Sequence, residues 1–194
     1  MKIVSFLVAS ALVTALVSFN RSNDEKEVKY VLDTKKSSLK WKAGKNENYF
    51  HIGTVDFKEG HVEMENGMLH DGEFEVDLAS IKVVDEGLAK EKREKLAGHL
   101  KTEDFFNVAK YATAEVEVGN YKDGKLHTTV TVLGIPVSQD VPVKLISTEK
   151  GLTIDGTFDF DFSAANIPGT QLHEGETERI SPVFHFDLHL ELTK

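Results

Sequence analysis

The stretch VFHFDLHLEL, residues 183–192, alternates apolar and polar side chains from Phe184 onward. Because successive residues of a β-strand point to opposite faces, its even-numbered positions share one face and its odd-numbered positions share the other. The apolar face carries Phe184, Phe186, Leu188, Leu190 and Leu192, and the polar face carries His185, Asp187 and His189. The stretch therefore predicts a long strand with one face in a core and the other in solvent.

The same alternation recurs along most of the chain. Further alternating segments are residues 30–43, 51–65, 68–83, 112–121, 125–134, 141–147 and 151–162. Asp123-Gly124 between two of them is a hairpin turn signal, because a type I′ turn needs positive φ at both central positions. About eight long antiparallel strands at regular spacing predict an all-β fold, either a closed barrel or a sandwich.

One segment, residues 86–108, breaks this pattern. It contains part of EKLAGHLKTEDFFNVAKY, residues 94–111, in which Leu96 and Leu100 are spaced for one face of a helix. Phe105 and Phe106 are adjacent, so they cannot both leave water on the same face of a strand. We therefore expect a short helical insertion at one end of the core, where it forms a plug or a lid.

The amino terminus predicts export. A lysine precedes an apolar run that is shorter than the roughly 20 residues of a membrane span, and small and charged residues follow it. We predict a signal peptide at residues 1–19, a polar linker at 20–28 and one domain at 29–194, in the periplasm. An uncleaved amino-terminal anchor is the alternative.

Composition narrows the class of partner. The net charge is −9 and no basic stripe is present, so binding to nucleic acid is not expected. The chain has no cysteine, which leaves no residue for lipoprotein acylation and requires the core alone to hold the fold together.

The sequence offers little that is typical of catalysis. His185, Asp187 and His189 share a strand face and have the residue types of a metal site, but this face lies opposite the phenylalanines and is expected to meet solvent. The serines lack the Gly-x-Ser-x-Gly context of a nucleophile elbow, and no glycine-rich phosphate loop is present. We expect a protein that is not an enzyme and that needs no cofactor.

The central block GHLKTEDFFNVAKYATAEVEV, residues 98–118, resembles the YceI-like family of periplasmic lipid-binding proteins. YVLDTKKSSLKW (residues 30–41), VDLASIKV (76–83) and VTVLGIPVSQDVPVKL (130–145) are similar to other parts of that family, so the resemblance covers nearly all of the chain after the predicted linker. The sequence departs from the family at Ala112, where proline is usual, at Lys101 and Thr102, where Arg-Ser is commoner, and in IPVSQDVPV, which lacks a Thr-Lys pair.

The resemblance implies an extended, lipocalin-like antiparallel barrel of eight strands, without catalytic activity. It implies a cavity for a polyisoprenoid, such as an isoprenoid quinone or a polyprenyl phosphate, or for another long-chain lipid, and it makes a homodimer plausible. The residues expected to contact the ligand are Trp41, His51, Phe57, Phe74, Val76, His99, Phe105, Phe106, Val116, Val130, Phe158, Phe160, Phe184 and Phe186. His51 and His99 are the candidates for contact with a headgroup.

Two alternatives to a lipid carrier remain open from the sequence. A barrel of about eight strands is wide enough either to be filled by its own side chains or to hold one small ligand. A filled barrel would be a periplasmic interaction protein without a lipid ligand. A metal-dependent enzyme is the less favoured alternative.

Overall fold

The computed structural model describes residues 27–172 and 178–194. The predicted signal peptide, residues 1–19, lies outside these ranges. Most of the predicted linker lies outside them as well, and the first strand begins at Glu27, one residue before the predicted end of that linker.

The described residues form ten strands and one α-helix. The strands are β1 (Glu27–Leu32), β2 (Ser38–Asn46), β3 (Tyr49–Glu65), β4 (Met68–Val83), β5 (Thr113–Lys122), β6 (Lys125–Val132), β7 (Ile135–Pro142), β8 (Lys144–Ser147), β9 (Gly151–Asp161) and β10 (Val183–Thr193), and the helix is α1 (Lys90–Leu100). Two short 3-10 helices, Ser163–Ala165 and Pro168–Thr170, lie between β9 and β10. Among the described residues, no helix is long and apolar enough to cross a membrane.

All strands belong to one antiparallel sheet that closes into a barrel. The all-β barrel with a helical insertion is therefore confirmed. The number of strands differs from the expected eight because two barrel positions are each divided between two consecutive strands. β1 and β2 both pair with β3 and β10, while β7 pairs with β6 and its continuation β8 pairs with β9.

Local features explain both interruptions. A turn after Asp33, whose carbonyl accepts hydrogen bonds from the amides of Lys36 and Ser37, separates β1 from β2. Pro142, which has no N–H to donate, ends β7, and the next amide, of Val143, bonds to the Gly124 carbonyl of a neighbouring turn. Ten strands thus occupy eight positions around the barrel.

Between β7 and β9 the barrel closes without a continuous ladder of backbone hydrogen bonds, and we call this place the seam. The Gln139 side chain bridges it: Nε2 donates to the Asp159 carbonyl at 2.7 Å and Oε1 accepts from the Asp161 amide at 3.1 Å. A single amide side chain therefore replaces two backbone hydrogen bonds at this place.

The two ends of the barrel differ in their connections. One end carries the turns Asn66-Gly67 and Asp123-Gly124, and both residues of each turn have positive φ, as a type I′ hairpin requires. The predicted turn at Asp123-Gly124 is thus confirmed. The opposite end carries the turn Leu133-Gly134 and the two long connections, residues 84–112 and 162–182, the latter described at 162–172 and 178–182, and we call it the open end.

The end of the barrel opposite the long connections is filled by side chains. Seven inward-facing residues form what we call the floor: Tyr30, Leu32, Val62, Met64, Leu69, Leu152 and Leu192. Val62 is 0% exposed and none of the seven exceeds 8%. Packing at this density closes the barrel at this end.

Candidate functional site: an apolar cavity open at one end

Above the floor, the barrel encloses a cavity of about 360 Å³. This volume lies within the range of small-molecule sites, which are typically mostly apolar with a few polar groups. The sequence left open whether the barrel was filled or hollow, and the structure shows a hollow one. The transition from floor to cavity is visible along β10, where Phe184, Phe186, Leu188 and Leu190 line the cavity while Leu192 belongs to the floor.

Every residue predicted to contact a ligand lies on the cavity wall, except His99. Those on the wall are Trp41, His51, Phe57, Phe74, Val76, Phe105, Phe106, Val116, Val130, Phe158, Phe160, Phe184 and Phe186. Period-2 alternation places all of them there except Phe105 and Phe106, because the inner faces of all strands share one enclosed space. Phe105 and Phe106 belong to the connection between α1 and β5. The contact of these wall residues with a ligand stays a prediction.

His99 lies outside the cavity. It is exposed near the end of α1, where its Nδ1 is 3.7 Å from Asp104 Oδ2 and its ring meets the Phe105 ring edge-on at 5.2 Å between centroids. Leu96 and Leu100 of the same helix reach the cavity instead. His99 therefore supports Phe105 from outside the cavity, and its contact with a headgroup stays a prediction.

Alternation also missed part of the wall. Ile180 precedes β10 in an irregular segment, and Lys45 and Tyr49 flank the tip of the β2–β3 hairpin, yet all three line the cavity. Lys45 and Tyr49 continue the inward alternation of β2 and β3 by one step beyond Ala43 and before His51, so strand periodicity extended to the hairpin would have assigned them. Only Ile180 is placed by an irregular segment, which no periodic pattern could have assigned.

Aromatic rings dominate one side of the cavity. Phe162 contacts three neighbours, with ring centroids 4.7 Å from Phe160, 5.4 Å from Phe184 and 6.3 Å from Phe186. These tilted and edge-on geometries are the favoured ones for aromatic pairs. They hold large side chains against the wall and so keep the interior open.

Trp41 covers the opposite side because glycine makes room for it. Its ring lies over Gly53 on β3, where an added Cβ would come within 2.2 Å of the indole. The indole Nε1 donates to the Thr54 carbonyl at 3.3 Å, which satisfies its polar group. The ring can therefore present an apolar face to the cavity.

The two long connections meet over the open end. The Gly169 amide donates to the Asp104 carbonyl, and the Phe105 ring lies directly over Gly169, where an added Cβ would be 2.4 Å from Cζ. Phe105 is 5% exposed, whereas Phe106 is only half-buried. The predicted plug is thus a partial cover in which each connection depends on the other.

The polar groups of the cavity are concentrated at its mouth. Lys45, Tyr49 and His51 line it there, and Thr128 is a buried polar residue deeper on the wall. His51 Nδ1 is 3.1 Å from Asp85 Oδ2, and this hydrogen bond holds the pKa of the Asp85 carboxyl below its ordinary value. The Gly87 amide, which donates to the same carboxyl at 3.0 Å, lowers that pKa further.

The histidines of β10 each pair with an aspartate of β9. His185 Nδ1 is 2.8 Å from Asp159 and His189 Nδ1 is 2.6 Å from Asp155, both on the outer face. Within residues 27–172 and 178–194, the one group of three potential ligands is Glu27, Glu63 and His70, which lies outside the barrel near the floor. Lys29 already lies 3.5 Å from Glu63 there, and we assign no metal to the group.

Fold and site together define a lipocalin-like β-barrel with an internal apolar cavity open at one end. The sequence matches the YceI-like domain over residues 30–192, and the chain belongs to that family. No match is found among curated proteins.

Two solved structures are similar in fold. BcnA of Burkholderia cenocepacia has a TM-score of 0.67 and 18% sequence identity, with 84% of this chain and 99% of that chain covered. A polyisoprenoid binding domain from Saccharophagus degradans, implicated in plant cell wall breakdown, has a TM-score of 0.60 and 16% identity, with 84% and 97% covered. At these identities the similarity establishes the fold alone.

Proposed function

We propose that this protein binds a long-chain isoprenoid or a similar amphiphilic lipid and sequesters or carries it, without catalysing a reaction. The observation that carries the proposal is the cavity itself, which is lined almost entirely by apolar side chains and has its polar groups at the mouth. A chain-like apolar molecule with one polar end matches that distribution. The similar fold of a polyisoprenoid binding domain supports the same class of ligand.

The energetics favour a tail-driven interaction. Each buried methylene contributes about 0.8 kcal/mol, so roughly fifteen of them supply ~12 kcal/mol before the cost of ordering the ligand. Affinity then requires no special polar contact. The same reasoning predicts poor discrimination between tails of similar length, so that any choice between a quinone and a polyprenyl phosphate depends on Lys45, Tyr49 and His51.

The proposed setting is the periplasm, reached through the predicted signal peptide. A long-chain lipid is nearly insoluble in an aqueous compartment, and enclosing its tail removes apolar surface from water. Homodimerisation belongs to the proposal as well and is tested by sedimentation.

Organic extraction of natively purified protein, followed by mass spectrometry, tests the proposal directly. We expect a co-purifying lipid with a long apolar tail, near one per barrel. Protein that is free of lipid and also fails to bind added prenols or quinones would contradict the carrier function.

A substitution inside the cavity tests where the ligand lies. Val116→Trp adds a large side chain to the wall and is expected to abolish or strongly reduce lipid binding while the barrel stays folded. Glu117→Trp, one residue along on the exposed face of β5, is the matched control and should bind lipid normally. Equal binding by both variants would show that this wall does not contact the ligand.

A further inference from the structure

The outer surface of the open end carries an apolar patch that the fold does not require. Four side chains form what we call the rim patch: Phe50, Ile52, Val84 and Val183, exposed by 38%, 38%, 43% and 39%. They belong to neighbouring elements, since the Val84 amide donates to the Ile52 carbonyl at 2.9 Å and Ile52 lies opposite Lys42 on β2. Burial in the core does not explain these side chains.

Further from the mouth along these strands, the outer face carries charged side chains instead of apolar ones. There Lys40 lies 3.8 Å from Asp187 and Lys82 lies 3.2 Å from Asp56. This is the solvated, charge-paired surface that an antiparallel barrel normally presents to water. The rim patch is therefore the part of this outer surface that carries apolar side chains where the rest carries paired charges.

Positive charge accompanies the patch. Lys42 Nζ lies 4.0 Å from the centre of the Phe50 ring, and Lys45 lies at the mouth. Within the described part of the chain, neither lysine forms a salt bridge, although the protein as a whole carries a charge of −9. Apolar side chains interspersed with unneutralised lysines are typical of surfaces that enter the interface of an anionic membrane.

The patch is continuous with the cavity. Tyr49 and Lys45 line the mouth, and Phe50 follows Tyr49 on the opposite face of the same strand. A bilayer in contact with the rim patch would therefore lie against the mouth. An apolar ligand could then pass between membrane and barrel without exposing its tail to water, which is unfavourable for apolar surface.

From this arrangement we infer that the rim patch is a docking surface for a lipid bilayer with anionic headgroups, which Phe50, Ile52 and Lys42 enter first. The inference rests on the proposed function, because it names the partner with which the cavity exchanges its ligand. A second copy of the chain could also cover an apolar patch. Charge distinguishes the two, since pairing of two such patches would bring the unneutralised lysines of both copies together.

The chain has no cysteine, so a single one can be introduced for an environment-sensitive fluorophore. Ile52→Cys places the probe in the rim patch, and Met68→Cys places it beside the floor at a position that is 67% exposed. The exported, processed protein is mixed with phosphatidylcholine vesicles with and without phosphatidylglycerol. Both variants share one amino terminus, so any effect of residues 1–26 is the same in each.

We expect the Ile52 probe to shift to the blue with the anionic vesicles and the Met68 probe to stay unchanged. Lys42→Gln should weaken vesicle binding about five-fold, the effect of one lysine near an anionic surface. Glu47→Lys, at the hairpin tip, should strengthen it by a similar factor. A Phe50→Ser, Ile52→Ser double variant should lose binding while circular dichroism shows the same fold.

A parallel assay separates this inference from the proposed function. Binding of a short soluble prenol, read from the fluorescence of the single tryptophan, Trp41, needs no vesicles. Prenol binding without vesicle binding would overturn the docking surface and leave the carrier function intact. Equal responses of the two probes, or an Ile52 response that depends on protein concentration without vesicles, would also overturn it, the latter in favour of a dimer.

Discussion

The floor and the open end of this barrel are built from the same alternating strands, yet one is packed and the other is hollow. At the floor, tight turns bring the strand ends together and the inward side chains fill the space. At the open end, the Leu133-Gly134 turn and the β2–β3 hairpin are tight as well, but two long connections join the other strands there and carry Phe105 and Phe106 over the gap. These long connections, rather than strand composition, therefore distinguish a stabilising end from a binding end.

The difference in packing between the two ends can be tested with two leucines on the same face of β10. Leu192 belongs to the floor and is 2% exposed, whereas Leu188 lines the cavity. Leu192→Ala should lower the free energy of unfolding by about 2–5 kcal/mol, because it leaves a new void in a packed region. Leu188→Ala should cost less than about 2 kcal/mol, because its side chain already faces empty space. Urea unfolding of both variants measures the difference, and equal losses would mean that the cavity wall is as tightly packed as the floor.

The cover of the open end is tested at Gly169. Gly169→Ala places a methyl group into the Phe105 ring and should cost about 1–3 kcal/mol of stability by overpacking. It should also speed ligand release, because Phe105 must move. Gly98→Ala, on the exposed side of α1 with nothing within 4 Å of the added methyl group, is the control and should be neutral or slightly stabilising. A Gly169→Ala variant that matches this control would show that the two connections do not support each other.

The wall between the two ends is tested at the seam. Gln139→Ala removes both side-chain hydrogen bonds to β9 and should cost about 1–2 kcal/mol, near 1 kcal/mol for each bond. Ser138→Ala, which removes an exposed bond to Thr129 away from the seam, should cost less. Hydrogen exchange at Asp161 should also increase in the Gln139 variant. Unchanged exchange there would mean that the seam is held by packing rather than by this amide.

The smallest expected effect concerns pH at the mouth. Because the pKa of Asp85 is held below its ordinary value, mainly by His51, its contribution to stability is present above the unfolded-state pKa. This contribution is lost as the pH falls through the lower pKa of the folded state. Asp85→Asn should therefore be slightly less stable than the parent at neutral pH and equally stable in strong acid. A difference that persists in acid would rule out the carboxylate as its cause.

Much of the site followed from alternation in the sequence. The inward positions of β4, β5, β9 and β10 were assigned correctly because each strand of a barrel has one face toward a common interior. His99 lies outside the cavity, because strand alternation does not apply in a helical segment. Lys45 and Tyr49 were missed because the predicted alternating segments end at residue 43 and begin at residue 51, two residues short of these positions on each side of the hairpin. Ile180 was missed because an irregular segment places it.

The breaks in two of the barrel positions were also beyond sequence reasoning. Residues 30–43 read as one segment, but the turn after Asp33 divides it into β1 and β2. The break after Pro142 likewise involves a hydrogen bond from the Val143 amide to the Gly124 carbonyl, in a turn that is far away in the sequence but adjacent in space. Both are decided by which partner strand is within reach at each point.

Strand periodicity and turn chemistry are local properties, so the sequence alone predicts the antiparallel all-β fold, the side chains that share an inward face and the place of the insertion. The choice of a barrel over a sandwich came from the family resemblance. Only the tertiary structure shows that the barrel is filled at the level of Leu192 and hollow from there toward the open end. Phe184 and Leu192 have the same place in the same pattern, and whether such a residue meets a neighbour or empty space depends on how closely the strands opposite approach it.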